Sequence, residues 1–163
     1  MAQEEVEKHL ESRFSAIETR SDRFDFSHTN YYREEMGDGL EKYFVVFSEF
    51  IDPYEIAGIK LESNRIEELF LTDEGKRSVN IDPGYISEAK ILLATTKNFD
   101  HRVYIDKGIF GDIQLRLRYG KWVENEWTYP DYRVDTVKSF FFSERKKYHR
   151  QLNKMLQHRS LNF

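Results

Sequence analysis

Apolar spacing along the chain predicts a helix at each end with strand-like runs between them. Val6, Leu10, Phe14 and Ile17 recur at helical spacing, with Glu4, Glu7, Lys8 and Glu11 on the other side, so the N-terminus predicts an amphipathic helix. Phe24-Asp25-Phe26 alternates and predicts a strand or an extended loop. Tyr43 to Phe47 is an aromatic and β-branched run, short enough for a buried strand. Asp52-Pro53-Tyr54-Glu55 has the form of a helix start, with Asp as cap, Pro at the first position and Glu at the third. Gly58 weakens that helix and predicts a break before a second start near Ser63, with Glu62 to Leu71 helical.

Val79 and Ile81 alternate with polar neighbours, and Pro83-Gly84 predicts a turn. Ala89 to Thr96 reads equally as helix or strand, because its apolar run is too short for periodicity to decide. Ile109 to Tyr119 is the clearest strand. Ile109, Ile113, Leu115, Leu117 and Tyr119, with Gly111, share one face; Phe110, Asp112, Gln114, Arg116 and Arg118 share the other. Gly120-Lys121 turns the chain into Trp122-Val123 as a hairpin partner. Val137, Phe141, Tyr148, Leu152 and Met155 predict a long amphipathic C-terminal helix. The fold class is α+β, a mainly antiparallel sheet packed by helices, and the 163 residues are expected to form a single domain, 1–163.

Composition narrows the chemistry. Aromatics reach 15% of the residues, so core and pocket should be rich in rings. No cysteine is present, which excludes disulfides, thiolate metal sites and cysteine nucleophiles within the chain. No apolar run approaches the roughly 20 residues a membrane helix needs. The start, Met1-Ala2-Gln3-Glu4-Glu5, is acidic rather than signal-like, so a cytoplasmic location and no membrane partner are expected. A net charge of −4 argues against bulk nucleic-acid binding, though not against a local basic patch.

Three polar-aromatic blocks carry the candidate chemistry: Arg77 to Tyr85, Lys97 to Tyr104, and Trp127 to Tyr132. In the first, Asn80 and Asp82 offer oxygens to a ligand or a hard cation and Tyr85 a stacking ring; the plainer alternative is a tight turn with Asp82 as cap. His101 is the candidate general acid or base, with Lys97 and Arg102 nearby; the alternative is a histidine held by backbone. In a regular strand, alternation would keep His101 and Arg102 off the same face. His9, His28, His149 and His158 sit in polar surroundings and read as surface groups. Trp127 and Tyr129 could clamp a planar ligand, with Asp131 beside them, or simply cover a core edge.

Asp112, Gln114, Arg116 and Arg118 read as a solvated sheet face, or else as a charged lining for a phosphate or carboxylate. Tyr31, Tyr32, Glu34 and Glu35 form a weaker ring-and-carboxylate cluster. Arg145, Lys146, Lys147, Arg150, Lys154 and Arg159 give the C-terminal helix a basic face, solvated or turned to a polyanion. Gly75-Lys76 lacks the following Ser or Thr and the earlier Gly of a phosphate loop, and no GxGxxG, GxSxG or HExxH occurs.

Taken in order, Phe24-Asp25-Phe26, Tyr31-Tyr32, Glu35-Met36-Gly37, the Arg77/Asn80/Asp82-Pro83-Gly84-Tyr85 block, His101 to Tyr104 and Trp127 to Tyr132 resemble the bacterial domain of unknown function 4416 family. That resemblance spans about Phe24 to Tyr132 and implies no activity. Some members carry a GTP-binding label, against which the missing phosphate loop speaks here. Relatives begin with an apolar strand ahead of the first helix, so the resemblance implies a missing strand or a different start site. In the first case a sheet edge is exposed.

The expectation from all of this is a pocket for a small anionic or phosphorylated ligand, with or without a divalent cation. Arg77 and Arg102 would supply charge, Asn80, Asp82 and Asp131 hydrogen bonds or cation ligands, Tyr85 and Trp127 stacking, and His101 any proton transfer. The competing expectation is a non-catalytic protein- or RNA-interaction module that uses the basic C-terminal helix.

Overall fold

A computed structural model of the chain describes residues 2–25 and 40–160. The expected cluster of Tyr31, Tyr32, Glu34 and Glu35, with His28 and the side chain of His158, lies outside the described residues. The element order is α1 (Ala2–Arg13), β1 (Ile17–Arg20), β2 (Phe24–Asp25), β3 (Glu41–Lys42), β4 (Val45–Phe47), a 3-10 turn (Pro53–Glu55) and α2 (Ile56–Glu68). Then come β5 (Gly84–Ile86), β6 (Lys90–Thr95), β7 (Val103–Asp106), β8 (Ile109–Arg118), β9 (Lys121–Glu124), a second 3-10 turn (Pro130–Arg133) and α3 (Asp135–Ser160). β1 pairs with β4 and β2 with β3; a five-stranded sheet runs β5-β6-β8-β7, with β9 also on β8. The fold is α+β, as the sequence predicts. Its contacts define two compact units, Met1–Pro83 with Ala94–Gly111, and Gly84–Leu93 with Asp112–Phe163.

In the first unit, α1 buries Val6 and Leu10 against Ile66 of α2, and Phe14, Phe47, Phe70, Val79 and Ile81 pack around them. The helix stops at Arg13, so Ile17 is not part of its stripe. The Ile17 amide instead donates to the Glu11 carboxylate at 2.9 Å, and Ile17 starts β1 opposite Phe47. Asp52 does begin a helical turn, its amide donating to the Glu55 carboxylate at 2.6 Å. The predicted break at Gly58 is absent: α2 runs through it. Burial of Ile56, Ala57, Lys60, Ser63, Ile66 and Glu67 on one face outweighs the cost of a helical glycine, about 1 kcal/mol.

In the second unit, the predicted Pro83-Gly84 turn is instead the entry to β5, with Gly84 opposite Leu93 of β6. A Cβ on Gly84 would stand 2.3 Å from the Leu92 carbonyl oxygen, so only glycine allows that approach. The ambiguous run from Ala89 is a strand, with Ile91 to Ala94 all buried. The predicted hairpin forms: Arg118 faces Lys121, and Tyr119 and Gly120 both take positive φ, 49° and 76°, the backbone of a two-residue turn that matches strand twist. α3 buries Val137 and Phe141, and the Phe141 ring stacks on Tyr132 at 5.5 Å. Its predicted stripe outruns the packing, since Met155 is 47% exposed.

Candidate functional site

The first block forms a connected polar array in the first unit. Arg77 donates to the Glu67 carboxylate at 3.3 Å and to Asn80 Oδ1 at 3.2 Å. Asn80 Nδ2 donates to Asp82 Oδ2 at 2.8 Å, and Lys60 Nζ donates to Asp82 Oδ1 at 3.3 Å and to the Ile81 carbonyl at 2.8 Å. Glu67 closes the array by accepting the Ile81 amide at 2.6 Å. Guanidinium, amide and carboxylate thus stand in one row along residues 77–82, fastened to α2 by an ammonium and a carboxylate that are 6% and 5% exposed.

Buried ions survive only when paired and hydrogen-bonded, and both conditions hold for Lys60 and Glu67. The outer members are more open: the Arg77 side chain is 31% exposed and that of Asp82 35%. Sequence reasoning missed Lys60 and Glu67 because charges on a helix read as its wet face. The available signal was their spacing. Ile56, Lys60, Ser63 and Glu67 fall at i, i+4, i+7 and i+11, one stripe of α2.

His101 and Arg102 lie in a turn just before β7, not within a regular strand, so the alternation expected to separate them does not apply. His101 Nδ1 is 3.0 Å from the Asp100 carboxylate, and its ring meets Phe99 edge to face at 5.4 Å. Arg102 donates to the Lys97 carbonyl at 3.0 Å, which closes the turn.

In the second unit the Trp127 to Tyr132 block is fastened to β8. Trp127 Nε1 and Asn125 Nδ2 both donate to the Ile113 carbonyl, at 2.9 and 2.8 Å. The Thr128 hydroxyl donates to the Gln114 carbonyl, and the Tyr129 amide donates to Gln114 Oε1 at 2.8 Å. Gln114 in turn donates to Asp112 at 2.8 Å, and both are essentially inaccessible, so this end of the strand is not the solvated face of the plainer expectation. Asp131 is 2% exposed, within the turn that follows. Tyr85 is half-buried on β5, and burial raises its phenol above the usual range. Among the described residues no group of three or more His, Asp or Glu side chains could hold a metal ion.

Antiparallel sheets packed by helices, with polar arrays pinned to a helix in one unit and to a strand in the other, define an α+β protein without a metal-ligand cluster among the described residues. Residues 1–148 match the family model of the Domain of unknown function (DUF4416), and the chain belongs to that family. No curated protein and no solved structure matches it. No helix is long and apolar enough to cross a membrane among the described residues.

Proposed function

We propose that the protein binds a small anionic or phosphorylated ligand along the Arg77–Asn80–Asp82 row. One observation carries the reading: a cation, an amide and a carboxylate in a single hydrogen-bonded row, half-open on the outside and anchored on the inside by buried Lys60 and Glu67. Side chains held this way lose little freedom when a ligand arrives, so contact energy is not consumed in ordering them. Arg77 takes the anion, where a guanidinium suits phosphate or carboxylate geometry. Asn80 and Asp82 take the ligand's hydrogen-bond donors. A divalent cation fits this reading where Asp82 supplies one oxygen and the ligand's phosphate and waters supply the others. His101, beside Asp100, is the group available to move a proton if turnover accompanies binding.

The test is calorimetric titration of the chain with inorganic phosphate, sugar phosphates, nucleotides and dicarboxylates, each with and without magnesium. One class is expected to bind, and Asn80→Ala to weaken it about tenfold or more while the melting temperature moves only a few degrees. No binding by any class, or binding untouched in Asn80→Ala, would overturn the proposal.

A further inference from the structure

The binding row carries both signs of charge, and their order selects a ligand. Lys60 and Arg77 are its cations and Glu67 and Asp82 its anions, so the four sum to zero. Lys60 and Glu67 are buried on α2, which leaves Arg77 and Asp82 as the charges met from outside. Asn80 stands between them, accepting from Arg77 Nη1 at 3.2 Å and donating to Asp82 Oδ2 at 2.8 Å. From Arg77 Nη1 to Asp82 Oδ2 the row therefore spans no more than about 8 Å.

We infer that the ligand is a small zwitterion, an amino acid or an aminoalkyl phosphate, with its anionic group on Arg77 and its ammonium on Asp82. This rests on the binding reading of the row and narrows it to one chemistry. An anion without a positive group meets the Asp82 carboxylate within about 8 Å of Arg77, and the like charge takes back part of what the guanidinium supplies. An ammonium on the same ligand turns that repulsion into a second charge-assisted hydrogen bond. Asp82 has room for it: a carboxylate offers about four lone-pair sites, and Lys60 and Asn80 take one each. A divalent cation as the counter-charge would need about six oxygens, more than the open side of the row presents. The short span also limits the ligand. Lying along the row, it needs its two charges within about 8 Å of each other, as they are in an amino acid or a short amino phosphate.

Calorimetric titration of the native chain with two isosteric pairs tests this, β-alanine against butyrate and phosphoethanolamine against propyl phosphate, all without magnesium. Within a pair only a terminal ammonium or methyl group differs, and the two pairs separate carboxylate from phosphate as the anion. In at least one pair the amine is expected to bind about tenfold or more tighter than its methyl counterpart. Asp82→Asn should remove most of that difference. Equal binding by both members, weakened in Asn80→Ala, overturns the zwitterion and leaves the binding row standing. So does anion binding that needs magnesium and gains nothing from the amine, or an amine advantage that persists in folded Asp82→Asn. Binding by no member of either pair overturns the zwitterion too, and the row then stands or falls on the phosphates, nucleotides and dicarboxylates above. Because the paired comparison uses the native chain, it decides even if Asp82→Asn does not fold.

Discussion

Glu7 shows how much one side chain can organise. Its carboxylate accepts from Arg20 at 2.7 Å, from Tyr43 at 3.0 Å and from Gln3 at 3.3 Å. The Arg20 hydrogen bond holds its pKa below the usual carboxylate range, against the upward push of burial. Burial, and then the bond to Glu7, pushes the Tyr43 phenol up to about 12. The signs follow from linkage. Glu7 stabilises the fold above its ordinary range, and that contribution is lost as pH falls through its lowered value. Tyr43 contributes fully below about pH 10, and its contribution is lost as pH rises towards about 12. Urea unfolding across pH should therefore show an acid arm that flattens in Glu7→Gln and an alkaline arm that flattens in Tyr43→Phe.

Glu67 carries a larger stake at the same scale. Replacing it with Ala leaves the Ile81 amide without its acceptor and removes one of the Arg77 guanidinium's partners, and should cost on the order of 1–3 kcal/mol by urea unfolding. Asn80→Ala, at a half-open position, should cost only about 1 kcal/mol.

At the scale of elements, two glycines separate what periodicity can see from what it cannot. Gly58 lies inside α2, where an added Cβ would meet nothing within 4 Å, so Gly58→Ala should stabilise by about 0.5–1 kcal/mol in urea unfolding. Gly84→Ala should do the reverse. Its methyl meets the Leu92 carbonyl, and slowed amide exchange along β5 and β6 should be lost together.

The sequence pattern predicts α1, β4, β8, its hairpin to β9 and α3 as elements, but burial departs from it: β4 is half-buried rather than buried, Asp112 and Gln114 of β8 are inaccessible, and the stripe of α3 outruns its packing. It misplaces Gly58 and Gly84, where the deciding term is a neighbour distant in sequence. It leaves Ala89 to Thr96 open because strand pairing, not local spacing, makes that run extended. The candidate row is half legible. Arg77, Asn80 and Asp82 stand out as a block, whereas Lys60 and Glu67 are hidden by the habit of placing helix charges in water.

At the scale of the whole molecule, the chain carries a uniformly cationic C-terminal stretch after an acidic body. No residue of the binding row belongs to that stretch. Family membership adds the fold's kinship and no activity. The central claim rests on the row of Arg77, Asn80 and Asp82, and its most direct test is a nitrogen-15 NMR titration that follows the Asn80 side-chain amide, the Arg77 Nε–H and the Ile81 amide. Binding of a phosphorylated or carboxylate ligand should move these three signals together and saturably. A ligand that binds without moving them, or a panel in which none moves them, would contradict the account.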